Sequence, residues 1–180
     1  FLNNKNMKTI LMMKKISALA MVLIISIAAC AQTSLDSALF NKINEYRVSR
    51  KLKKITWDTT GYKAARHHSL YLKGKDFISH YEDSTVYKSM DNRYEYFGGK
   101  TDRLSEIIAL GCLNIHDNDP CRWDKLADEI LNLWKKSFPH NRIILDPANT
   151  SGGGSNALTI REQGIRGIKN YVVVSTFVFI

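Results

Sequence analysis

Apolar positions recur at helical spacing in the first part of the chain and at strand spacing near its end. In SLDSALFNKINEYRVSR, Leu35, Leu39, Ile43 and Tyr46 fall on one side with Phe40 beside them, which predicts an amphipathic helix capped by Ser34. KLKKITWD follows as a linker, in which Leu52, Ile55 and Trp57 tuck an extended piece against the core. Asp58 or Thr59 then caps a second helix through Tyr62, Ala65, Ser69 and Leu72, ending at Gly74. Residues 76–100 show no clean period and are expected to form loops and short turns, while Arg103 to Leu110 suits another short helix. Asp124 is placed as the cap of a clear helix with Leu126, Ile130, Leu133 and Trp134 on one face, broken by Pro139.

The last part reads as antiparallel sheet. Gly152-Gly153-Gly154 is expected to be a flexible turn; it lacks the lysine and the strand-to-helix setting of a phosphate loop. Asn156 to Ile160 then suits a short strand, Arg161 to Asn170 a charged turn, and YVVVSTFVFI a strand apolar on both faces, hence central and covered on both sides. Helices first and strands late predict an α+β domain, a three-layer α-β-α sandwich with a small antiparallel sheet between helices.

The N-terminal stretch has a different character. Residues 1–6 read like upstream sequence, with Met13 the expected start and Met7 and Met12 as alternatives. Lys14 and Lys15, an apolar run from Ile16 to Ile27, and Ala28-Ala29 before Cys30 form the pattern of an export signal. The run is shorter than the roughly 20 residues that span a bilayer comfortably. Two processing readings stand: a lipobox ending at Cys30, which would be lipidated and anchor the protein to the membrane, or cleavage before Gln32. The organisation is therefore residues 1–30 as upstream residues plus signal and residues 31–180 as one domain, either membrane-anchored or periplasmic and secreted.

The chain carries 26 basic and 17 acidic residues, a net charge of +9. The first 30 residues hold four of the basic ones (Lys5, Lys8, Lys14, Lys15), so the domain is only mildly basic, at 22 against 17, or +5. Such a surface suits weak attraction to anionic lipids or wall polymers and is no nucleic-acid signature. With Cys30 lipidated or removed, Cys112 and Cys121 remain as an even pair, expected in an oxidising compartment to close the loop GCLNIHDNDPC as a disulfide; two reduced cysteines are the alternative, and a metal site with His116 lacks ligand spacing.

The ordered segments resemble the CAP superfamily, or SCP-like extracellular domains, in its bacterial branch. FNKINEYRVSRKLKKITWDTTGYKAARHHSLYL is similar to the family's first helix, linker tryptophan and second helix. Ile78-Ser79-His80 resembles its Phe-Ser-His, and Ser105-Glu106-Ile107-Ile108 its Gly-Glu-Asn-Ile. Trp134 to Leu145 resembles Trp-x-x-Ser-Pro-Gly-His-Arg-x-Asn-Ile-Leu, and Tyr171 to Phe177 the final core strand. The resemblance implies a cleft in which two histidines and two acids meet, in some relatives around a divalent metal. Carried over by position, it gives His80, Glu106 and His140 as cleft and ligand-binding residues and as a metal set for zinc or another divalent ion. The second acid is replaced by Ser137, a last-strand histidine by Tyr171, and the motif Asn and Arg by Ile107 and Asn141, so the four-residue cluster is incomplete.

Each residue also has a plainer role. His80 can bond backbone at a loop boundary, Glu106 can be a first-turn helix acid, and His140 can satisfy carbonyls at a helix end. His67 and His68 are adjacent on a helix, point different ways and are read as structural; Ser79 beside His80 makes no triad, since neighbours on extended chain face opposite sides. The aromatic stretch from Tyr94 to Phe97 suits core packing better than a groove lining. The expected function is an exported cell-envelope binding module, non-catalytic, with a lipid, cell-wall glycan or envelope protein as partner and no nucleic acid; the alternative is a metal-dependent hydrolase using the same three residues.

Overall fold

In a computed structural model, residues 34–75, 77–116, 118–162 and 168–180 are described. The export signal, Cys30 and the centre of the charged turn lie outside them. Helix α1 (Leu35–Ser49) begins where expected, with the Ser34 hydroxyl accepting from the Ser37 amide, and buries Leu35, Ala38, Leu39 and Ile43. Strand β1 (Thr56–Trp57) leads into helix α2 (Thr59–Leu72), whose cap is Asp58 accepting from the Gly61 amide. Gly74, at φ +82°, adopts the left-handed turn that ends it.

Several expectations are corrected beyond this point. Helix α3 (Met90–Tyr96) lies inside the segment read as loops, held by a capping box between Ser89 and Asn92. Arg103 to Leu110 is not helical: Ser105–His116 is the twelve-residue strand β2, with Ile107, Ile108 and Ala109 buried within the sheet layers. Cys121, not Asp124, stands at the cap of helix α4 (Arg122–Lys136), and Asp124 lies in its first turn. Pro139 opens a new helix, α5 (Phe138–Ile144), because the first turn needs no proline N–H.

Strands β3 (Ser151–Glu162) and β4 (Ile168–Phe179) complete a four-stranded sheet in the order β1-β3-β4-β2. The sheet is mixed rather than purely antiparallel, since β1 runs parallel to β3. As expected, the apolar β4 is central, paired antiparallel to β2 on one side and β3 on the other. The triple glycine is strand, not turn. A methyl at Gly153 would collide with Asp58 O and the Tyr62 backbone, and one at Gly154 with the Phe177 ring, so glycine here permits close approach of α2 and of a core aromatic.

The α+β, three-layer character holds. One face of the sheet packs against α1, α4 and α5 through a core that includes Leu39, Ile43, Ile107, Ile130, Trp134, Ile144 and Phe177. The other face is covered by α2 and α3 through Ala65, Leu72, Tyr94, Ile108, Val174 and Val178. The buried Arg47 ties α1 to the end of α5: its guanidinium donates to the carbonyls of Lys53, Ile144, Asp146 and Asn149 at 2.6–3.2 Å. This fixes the frame from which His140 projects. Among the described residues no helix is long and apolar enough to cross a membrane.

Cys112 and Cys121 are not joined to each other in the structure, and the expected disulfide is not seen. Cys112 is in mid-strand, with its thiol donating to Asn170 Oδ1 on β4 at 2.8 Å. The strand continues to His116, carrying the chain on the order of 13 Å further before it turns back to Cys121 at the start of α4.

Candidate functional site

The site lies where β2 begins, beneath the segment that joins α2 to α3. Glu106, the second residue of β2, points to the α2 side of the sheet and is buried. Its Oε1 accepts from His80 Nδ1 at 2.9 Å and its Oε2 from Arg93 Nη2 at 2.7 Å. Burial pushes the Glu106 carboxyl up, but the His80 hydrogen bond, the charges of Arg93 and His68 and the Arg93 hydrogen bond together hold it below its ordinary value. It is therefore an ionised acid at neutral pH.

Sequence reasoning misses Arg93. Fully buried on α3, it also donates to the carbonyls of Tyr87 (3.2 Å) and His80 (3.4 Å) and lies 3.5 Å from Glu82. Glu82 is buried in turn, with Oε1 2.9 Å from His68 Nδ1 and 3.2 Å from His67 Nδ1. The adjacent histidines thus reach the same carboxylate oxygen, contrary to the expectation that they point apart. His68 sits on the buried side of α2, and its Nε2 donates to Ser79 O at 2.7 Å; His67 approaches from the half-exposed side, its ring stacked on Tyr87 at 4.0 Å. Their role is structural, as expected. Together Glu82, Arg93 and the two histidines lock residues 79–93 onto α2 and β2 and so place His80.

His140 arrives from the other side, on α5. It is half-buried; burial, and then the positive charge of His80, lower its pKa from 6.5. The imidazole is therefore held neutral near pH 7. Tyr46 OH donates to Asn141 Oδ1 at 3.0 Å beside it. The structure thus brings His80 into contact with Glu106 and sets His140 within electrostatic reach of His80. A hollow of about 240 Å³ opens here, lined by His80, Tyr81, Ser89, Met90, Leu104, Glu106 and Ile143 among others. Ile143 also borders a second hollow of about 360 Å³, beside Phe138, which is 79 % exposed.

A family model described as CAP, the cysteine-rich secretory protein family, matches residues 40–159. The chain belongs to this family. Among solved structures, this CAP chain is similar to an outer surface protein from Borrelia burgdorferi, at 19 % identity over 78 % of this chain and 87 % of that one, with a TM-score of 0.57. It is also similar to an extracellular protein containing a SCP domain from Bacillus anthracis str. Ames, at 22 % identity over 79 % and 38 %, TM-score 0.53. A cysteine-rich secretory protein from Staphylococcus aureus subsp. aureus Mu50 matches at 13 % identity over 81 % and 37 %, TM-score 0.52. At these identities the likeness is one of fold, and the chain spans little more than a third of the latter two proteins. Against curated proteins nothing matches.

The divalent metal implied by the CAP resemblance does not fit the residues present. Both oxygens of Glu106 are committed, one to a ring N–H and one to a guanidinium, so this acid is not free to serve as a ligand. The position that would supply a second acid is Ser137. Among the described residues no group of three histidine, cysteine or acid side chains converges to hold an ion. Within this CAP domain, Glu106 instead orients His80, leaving Nε2 as the ring nitrogen for a ligand.

Proposed function

We propose that the protein is an exported cell-envelope binding module that takes its ligand in the hollow lined by His80 and Glu106, beside His140, and performs no chemistry on it. The observation that carries this reading is the double engagement of Glu106. An acid fixed between His80 and Arg93 shapes and charges a cleft, and it is a poor proton shuttle or metal ligand. A hollow of about 240 Å³ has room for a headgroup or a single ring, so the rest of a larger ligand lies outside it, over Ile143 and the exposed Phe138. The ligand classes are a lipid, a wall-derived glycan or another envelope protein. The signal pattern ending at Cys30 supports export and anchoring by lipidation.

The test is a thermal-shift and native-mass screen of phospholipids and muropeptides against the wild type and His80→Ala. One class is expected to stabilise the wild type and to lose most of that effect in the variant. Silence from both classes, or equal effects in both proteins, contradicts the reading.

A further inference from the structure

We propose that the outward face of α2 is a docking surface for an anionic phospholipid bilayer. Lys63, Arg66, Leu70 and the cap residue Lys73 recur at helical spacing on the side of α2 opposite the buried Ala64, Ala65, His68 and Leu72, and all four are exposed. From Thr59 to Lys75 the chain carries Lys63, Arg66, Lys73 and Lys75 and no acid. The other two long helices mix both signs: Asp36, Lys42 and Glu45 on α1, and Asp124, Lys125, Asp128 and Glu129 on α4. Among the described residues no carboxylate pairs with Lys63, Arg66 or Lys73, whereas Lys42 and Lys125 are each held by an aspartate.

Charge alone suits any polyanion, and the apolar residues narrow the choice. Leu70 is 49 % exposed within the cationic stripe, and just past the helix Phe77 and Ile78 are 55 % and 47 % exposed. Lys75 Nζ lies over the rings of Tyr71 and Phe77, 4.2 and 5.4 Å from their centroids, so cation and aromatic rings share this end of the face. A soluble polyanion has no apolar phase to take up such side chains; a bilayer has one just beneath its phosphates. A convex helix ridge also lies along a plane more readily than it fills a pocket.

The point at which the domain begins favours the same partner; this step rests on the export and lipidation at Cys30 proposed above. Cys30 precedes Ser34 by four residues, a reach on the order of 14 Å. Helix α1 begins there, and Asp36 in its first turn accepts from the Tyr62 hydroxyl, so the start of α1 lies beside the residue that precedes Lys63 on α2. A lipid anchor entering the bilayer at that point holds the α2 face at high effective concentration beside the headgroups.

Residues 34–180 form a compact unit with its own core, so the unlipidated domain, residues 31–180, is the form to test by co-sedimentation with vesicles. It is expected to bind phosphatidylglycerol-containing vesicles but not pure phosphatidylcholine, and to bind less as salt rises. Arg66→Glu with Lys73→Glu should weaken binding at least tenfold, at about fivefold for each cation lost from the surface, and Leu70→Ser about fivefold. Lys135→Glu with Lys136→Glu, the same charge change at exposed positions of α4 in the opposite layer, should alter it by no more than about twofold, because screening confines charge effects to the contact. All exchanged positions are exposed, so each variant should unfold at the wild-type temperature. No binding, equal binding to both vesicle types, or equal losses in the two double variants overturns the proposal. Binding that ignores Leu70→Ser and is fully displaced by soluble poly(glycerol phosphate) assigns the face to a polyanion and overturns it too. Vesicle binding with no ligand response at the His80 hollow sinks the proposed function alone, and a ligand response there without vesicle binding sinks this proposal alone.

Discussion

Two glutamates and one arginine, all buried, hold the site together, and the consequences of removing each differ. Arg93→Ala leaves Glu82 and Glu106 without their shared cation, and unfolding measurements should show a loss of about 3–5 kcal/mol. For Glu106 the sign follows from its folded-state pKa lying below the ordinary 4.5. Its stabilisation is present above that value and is lost as pH falls through the folded pKa. Denaturation of the wild type and Glu106→Gln should therefore differ at pH 7 and converge as the pH drops below 4.5. His140 should titrate below 6.5 by NMR, and His80→Ala should raise its pKa part of the way, because burial remains after the charge is gone. His80, Glu106 and His140 are readable through motif resemblance. Arg93 and Glu82 are not, because a buried charge and a solvated one look identical in sequence and only the packing of α3 on β2 tells them apart.

At the scale of elements, legibility follows from how well local pattern agrees with final environment. Helices α1, α2 and α4 have caps or long apolar stripes and can be read from them. Helix α3 buries only Arg93 and Tyr94 in seven residues, too little for a period to show. In SEIIALGCLNIH, helix-forming residues such as Glu, Ala and Leu are mixed into a strand apolar on both faces, and tertiary pairing with β4 overrides the local preference. The glycine run looks flexible from its composition, although glycine within a strand also marks close approach of another backbone. Gly153→Ala should accordingly cost about 1–3 kcal/mol in chemical denaturation, since the Asp58–Tyr62 turn must move to admit the methyl. No loss on that substitution would contradict the packing of α2 on β3.

At the scale of the whole molecule, the CAP sandwich brings together segments far apart in sequence. Residues 79–93 are pinned to β2 by the Glu82–Arg93–Glu106 network, and α5 is pinned to α1 by Arg47. Between them sits a hollow lined by His80 and Glu106, with His140 within electrostatic reach of His80 and the acid in a positioning role. The family resemblance implies a metal set; here both Glu106 oxygens are taken by His80 and Arg93. The most direct measurement follows the imidazole resonances of His80 and His140 while muropeptide fragments, phospholipid bicelles and then zinc are added in turn. Saturable shifts of both rings are expected with one of the first two, and no stoichiometric response to zinc. Rings indifferent to both ligand classes, or one tightly held zinc per chain on these imidazoles, would contradict it.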